Sequence, residues 1–331
     1  MDQDNTRDDE LERLLGAPSA DSSGDRTPVT VLTGFLGAGK TTLINRILSE
    51  AHGLRIAVLV NDFGDIDVDG ELIVGLAAKK ISLANGCVCC EVRDDLLAAI
   101  DLLMQSESDI DAILLEASGV AQPLTIASTF VDAARRGRVR LDGIVAVVDA
   151  EQLPDKVADP ATADLIYGQL GCSDLVLLNK IDLADRQRVA AVRAFVCERL
   201  NGVRFIETVR ADVPMSVLLG ARPESPISSH DAIDHAHRSR FVSWVYQRER
   251  PFNEGTLSNC IAHLPASVYR IKGFIHASEH PQQRVLVQAV GMRGEITPFD
   301  EWGIEERVSR LVIIADRAIE RRVVDAALDA C

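Results

Sequence analysis

The sequence predicts an α/β fold, a parallel sheet with helices on both faces, plus a smaller C-terminal α+β domain. Three observations predict it. Strand-length runs of Val, Ile and Leu recur without polar alternation, as expected of strands buried on both faces. Helix-length amphipathic stretches separate them. Beyond residue 240 the pattern changes, and strands follow one another with fewer helices between them.

The expected strands of the first part are Val29–Thr33, Arg55–Val60, Lys79–Leu83, Ala112–Ala117, Gly143–Asp149, Asp174–Asn179 and Val203–Thr208. Between them, Thr41–Ala51, Arg93–Met104, Pro123–Ala134 and Asp185–Leu200 read as helices. After residue 240, Phe241–Gln247, Val268–His276, Arg284–Ala289 and Arg310–Ala315 read as strands, and Asn253–His263 and Ala318–Ala330 as helices. A length of 331 residues fits two domains of about 100 to 200 residues each. Residues 1–27 are rich in Asp, Ser and Arg and too polar to order themselves, so they are expected to form an acidic disordered tail. Residues 28–221 form the first domain, and 240–331 the second. Residues 222–239, with two prolines and three histidines, read as the linker.

Composition narrows the function classes. With 47% hydrophobic and 26% charged residues the chain can bury a full core. Its apolar runs, such as Ile144–Val148, fall far short of the ~18 residues of a membrane span, and the acidic N-terminus has no secretory h-region, so a cytoplasmic protein without membrane attachment is expected. A net charge of −15 argues against a nucleic-acid partner. Oligomeric state is left open, a homo-oligomer included.

Gly34-Phe35-Leu36-Gly37-Ala38-Gly39-Lys40-Thr41 fits G-x-x-x-x-G-K-[ST] between a predicted strand and a predicted helix, which makes the first domain that of a P-loop NTPase. Its backbone amides can wrap phosphates, Lys40 can neutralise the β and γ oxygens, and the Thr41 hydroxyl can meet Mg²⁺, with Thr42 as a further phosphate contact. Asn179-Lys180-Ile181-Asp182 follows a later strand, where the Asp182 carboxylate can accept two hydrogen bonds from guanine that adenine does not offer, selecting GTP. The competing reading makes Asp182 the cap of the next helix. Glu116 ends an apolar strand where a carboxylate can orient a metal-bound or attacking water, and the amide of Gly119 could sense the γ-phosphate. An ordinary surface acid is the alternative there, and Asp149 could be a plain turn residue.

Cys87, Cys89 and Cys90 place three thiols within four positions, a density that suits Zn²⁺, Cu⁺ or an Fe–S cluster and not Mg²⁺ or Ca²⁺. A carboxylate, a histidine or a water could complete the tetrahedron, with Asp62 and Asp65 of Asn61-Asp62-Phe63-Gly64-Asp65 as candidates. Small buried side chains or a redox pair would also explain the thiols. His230, His235 and His237 are a weaker metal-loading candidate. Cys172, Cys197 and Cys260 lie on helical patterns and are expected in the core.

Taken in order, GFLGAGKTT, NDFGD, GCVCC, LLEASGVAQP and NKID resemble the CobW-like GTPases, relatives of the nickel-insertion GTPases for urease and hydrogenase. Trp244, Pro251-Phe252, Arg270-Ile271-Lys272-Gly273 and Leu311–Ala315 look like the landmarks of that family's smaller C-terminal domain, so the resemblance spans nearly the whole chain. It implies slow GTP hydrolysis, zinc or cobalt held at the C-x-C-C segment, and delivery of the metal to a client metalloprotein. Two departures stand out: Asp62 and Asp65 occupy a switch segment where the family usually carries glutamate, and the linker lacks a long histidine run.

Overall fold

The structure is a computed structural model that describes residues 26–49, 54–60, 79–82, 96, 98–104, 110–120, 139–200, 203–219, 240–303 and 306–331. Seven strands form the first sheet: β1 (Thr27–Thr33), β2 (Ile56–Val60), β3 (Lys79–Ser82), β4 (Ala112–Glu116), β5 (Val139–Asp149), β6 (Leu175–Asn179) and β7 (Arg204–Glu207). They lie in the order β3-β2-β4-β1-β5-β6-β7, and every neighbouring pair is parallel. Successive side chains of a strand point to opposite faces, so a strand apolar at every position supplies two cores. Leu114 accordingly packs on one side with Leu43 and Ile47 of α1 (Lys40–Ser49), whereas Ile113 and Leu115 pack on the other with Leu96, Ile100 and Leu103. Among the described residues no helix is long and apolar enough to cross a membrane.

Three elements of this domain differ from the sequence reading. The fifth strand begins at Val139 and not at Gly143, because the polar side chains of Arg140 and Asp142 are buried in an ion pair instead of marking a loop. Helices α2 (Leu153–Ala158) and α3 (Pro160–Gly171) fill a stretch for which no helix is expected. Their boundary carries a start signal all the same: Asp159 caps α3 by accepting from the Ala161 amide, with proline at the first position. The helix α4 (Arg186–Arg199) and the short α5 (Met215–Leu218) complete the domain.

The second sheet is antiparallel, in the order β11-β10-β9-β12-β8. Its strands are β8 (Phe241–Arg248), β9 (Val268–His276), β10 (Gln283–Val290), β11 (Arg293–Glu301) and β12 (Ser309–Asp316). One face is covered by α6 (Glu254–His263) and α7 (Arg321–Asp329), whose Leu257, Ile261, Val324 and Leu328 pack with Ile271, Val287 and Ile313. The strand β11 is absent from the sequence reading because Arg-Gly-Glu-Ile-Thr-Pro-Phe-Asp-Glu has neither an apolar run nor alternation. It is an edge strand, where Pro298 costs no ladder bond.

The two sheets are joined through buried charge. Asp142 of β5 accepts from Arg140 Nη1 (3.2 Å) and, with both oxygens, from Arg270 Nη2 of β9 (2.8 Å each). Arg293 Nε of β11 lies 2.9 Å from both oxygens of Asp174, and Arg204 of β7 donates to the Gly291 and Ile261 carbonyls. Gly291, at φ +61°, faces the Asp174 carbonyl at a separation that leaves no room for a Cβ. Lys272, beside these groups, is pulled down to about 7, first by burial and then by Arg270 and Arg140.

Candidate functional site

In a parallel sheet all strands end on one edge, so β1, β4, β5 and β6 deliver their last residues to one surface. From β1 the chain enters Gly34–Gly39 and then α1. Gly34, Gly37 and Gly39 hold φ of 131°, 75° and 109°, which side chains rarely adopt. Gly34 abuts the Val147 carbonyl, and a Cβ on Gly39 would come 2.5 Å from Asn179 Nδ2. The loop is therefore a backbone cradle whose shape excludes side chains at two of its three glycines. Lys40 folds across it, donating to the Gly34 carbonyl (2.8 Å) and the Phe35 carbonyl (3.4 Å).

Thr41 Oγ1, in the first turn of α1, donates to Glu116 Oε1 at the end of β4 (3.1 Å). Glu116 is only 5% exposed. The hydroxyl and the carboxylate form a hard-oxygen pair beside the phosphate cradle, a donor set that fits Mg²⁺ and not a thiophilic ion. Gly119 sits against the cradle, where a Cβ would come 2.8 Å from the Leu36 amide nitrogen. Its carbonyl accepts from Gln169 Nε2 of α3 (2.9 Å). Thr42, Val60 and Ser118 line the same cleft.

On the other side, Asn179 bridges two loops: its Nδ2 donates to the Ala38 carbonyl, and its Oδ1 accepts from the Ala211 amide, each at 2.9 Å. Lys180, with φ of 61°, donates to Asp149 Oδ2 at 2.8 Å. Asp149 Oδ1 also accepts from the amides of Glu151 (2.9 Å) and Gln152 (3.1 Å). Asp182 is exposed, and the cap of α4 is Asp185, which accepts from the Arg188 amide at 2.7 Å. The helix-cap duty that competed for Asp182 thus belongs to its neighbour three residues on.

The structure brings together Gly34, Gly37, Ala38, Gly39, Lys40, Thr41, Thr42, Glu116, Gly119, Asn179 and Lys180 along one edge, with Asp182 exposed two residues beyond Lys180. Cys87, Cys89, Cys90, Asp62 and Asp65 lie outside the described residues, as do His230, His235 and His237. Among the described residues no group of three or more His, Cys, Asp or Glu side chains is placed to hold a metal ion. Cys197 is exposed, contrary to the expected core position, because it falls on the outer face of α4.

Sequence reasoning missed two contributors. Residues 208–211 follow β7 with positive φ at Arg210 (52°) and Ala211 (55°), and are held by Asn179 and by the Ile181 amide on the Thr208 carbonyl (3.4 Å). No glycine marks this turn, so the sequence gives no signal for it. Asp149 was legible only as an acid at a strand end, and its partner Lys180 lies 31 residues away. Because Asp149 fixes the Lys180 ammonium, Asp149→Asn is expected to weaken GTP binding about 10-fold, the scale of one partly solvent-screened charged hydrogen bond, with kcat changed less than twofold. Calorimetric titration with GTP and steady-state turnover of the variant check this.

Residues 28–206 match the family described as CobW/HypB/UreG, nucleotide-binding domain, and residues 241–331 match the cobalamin synthesis protein cobW C-terminal domain. Among curated relatives, a zinc chaperone CobW from Sinorhizobium sp is 33% identical over 94% of this chain and 99% of its own length. The zinc chaperone YjiA of Escherichia coli (strain K12) is 31% identical, covering 89% of this chain and 96% of its own. A zinc-regulated GTPase metalloprotein activator 1 from Dictyostelium discoideum is 32% identical, covering 84% of this chain and 69% of its own.

Proposed function

Because the chain belongs to the CobW/HypB/UreG family and carries both of its domains, we propose that it is a GTPase that carries zinc to a client metalloprotein, binding it at the C-x-C-C segment. The nucleotide site falls in residues 28–221 and the second domain in 240–331. The amides of the Gly37–Gly39 turn and the N-terminus of α1 receive the β and γ phosphates, and Lys40 exchanges its two loop carbonyls for phosphate oxygens. Thr41 and Glu116 would hold Mg²⁺, which would supply neutralisation of the charge that builds on the phosphates. Glu116 orients the attacking water, the Gly119 amide contacts the γ-phosphate, and Asp182 selects guanine. Asn179 and Lys180 hold the base loop in register.

The observation that carries the metal reading is topological. β2 and β3 run parallel to β1 and β4, so their last residues, Val60 and Ser82, end at the carboxyl edge that holds Glu116. Val60 lines the phosphate cleft itself. On this reading the segment bearing Asp62 and Asp65, which follows Val60 in the chain, and the one bearing Cys87, Cys89 and Cys90, which follows Ser82, meet at the γ-phosphate, so that a change in nucleotide alters the thiolate geometry. Zinc, or cobalt with the same tetrahedral preference, is the cargo.

Replacing Cys87, Cys89 and Cys90 together by alanine is expected to weaken zinc binding at least 100-fold and abolish zinc-dependent changes in GTP turnover, with GTP affinity in zinc-free buffer unchanged. Competition titration against a chromophoric chelator and turnover with and without zinc read the two effects. Unaltered zinc affinity and zinc response would instead favour a GTP-regulated scaffold with structural cysteines.

A further inference from the structure

We propose that Cys260 and Cys331 are a reversible disulfide site that ties α6 to α7 on the outer layer of the second domain. Cys260 lies in α6, and Cys331 stands two residues beyond α7. Both thiols donate to one acceptor, the Ala327 carbonyl of α7, Cys260 Sγ at 3.4 Å and Cys331 Sγ at 3.2 Å. Sharing that one oxygen makes the two sulfurs neighbours across the gap between α6 and the end of α7. Neither belongs to the nucleotide site or to the C-x-C-C segment, so the inference stands apart from the reading above.

The surroundings make the link consequential. Only Val324 and Leu328 of α7 are fully buried, with Ala327 partly buried beside them, and polar bonds complete its docking: Trp244 Nε1 donates to Asp325 (2.9 Å), Tyr246 Oη to Asp329 (2.6 Å) and Arg248 Nη1 to the Leu328 carbonyl (2.8 Å). Such a helix is held by a few replaceable bonds, and a covalent tie to α6 would close the whole span from 260 to 331.

Burial, aided by contact with Cys331, pushes the Cys260 thiol up to about 12, so it does not begin the reaction. The Cys331 thiolate attacks a small disulfide such as glutathione disulfide, forming a mixed disulfide and releasing one glutathione thiolate, which takes a proton. Cys260 then loses its proton and attacks the Cys331 sulfur, expelling the second glutathione. Two protein thiols are oxidised and one glutathione disulfide is reduced to two thiols. Dithiothreitol reduces the link to two thiols and is itself oxidised to its cyclic disulfide.

The test uses the full chain equilibrated with glutathione disulfide and then with dithiothreitol. Non-reducing proteolysis and mass spectrometry are expected to show the peptides of Cys260 and Cys331 joined with loss of two hydrogens, and the thermal midpoint to rise by about 5 °C on oxidation. Cys331→Ser removes a group outside the helix and is expected to fold normally, yet to lose both the link and the rise, as should Cys260→Ser. Glutathione adducts on Cys331 without a link to Cys260, or a link that leaves the midpoint unmoved, would overturn the proposal.

Discussion

Asp142→Ala is expected to destabilise the folded protein by about 3–5 kcal/mol, the largest effect of any single substitution at the junction between the sheets. The reason is the asymmetry of buried charge. Asp142 accepts from Arg140, from Arg270 across the junction and from Thr30 Oγ1 (3.4 Å), and both guanidinium groups are 5% exposed or less. Removing the carboxylate takes the close partner from two buried cations and leaves Arg140 only the more distant Glu295 at 3.9 Å, which costs far more than the bonds themselves contribute. Urea denaturation of Asp142→Ala beside the parent measures the loss. Asp142→Asn, which keeps the acceptor but not the charge, should fall between the two. A loss below about 1 kcal/mol for the alanine variant would mean that the guanidinium groups are solvated in the fold.

Glu116→Gln is expected to lower kcat for GTP by about 100- to 1,000-fold, while nucleotide affinity measured without Mg²⁺ changes less than threefold. The amide still accepts from the Thr41 hydroxyl, so the cradle is kept, but it can neither take a proton nor hold a water with a full negative charge. Single-turnover hydrolysis and fluorescent-nucleotide titration separate the two quantities.

What could be read from the sequence was chemistry local in the chain. Uniform Val/Ile/Leu runs gave β1, β2, β4 and β6, because a doubly buried strand has no polar alternative. The G-x-x-x-x-G-K-T and N-K-x-D segments were legible because each places its working groups within a few residues. Contacts that close over distance were hidden: Gln169 reaches Gly119 across 50 residues, and Arg270 reaches Asp142 across 128. Arg140 and Asp142 misled the reading of β5 for the same reason, since each looked like a surface charge until its partner was in view. The helix α3 was obscured by Gly168 and Gly171, and β11 by a polar composition that only an edge strand tolerates.

Asn179 gives one amide group two masters, the phosphate loop at Ala38 and the turn at Ala211. On the proposed reading of the two loops, choosing the base and seating the triphosphate would be mechanically a single event, since a nucleotide that fits poorly at one end would displace the side chain that shapes the other. Discrimination against a wrong base would then be felt at the reacting phosphate as well as in occupancy.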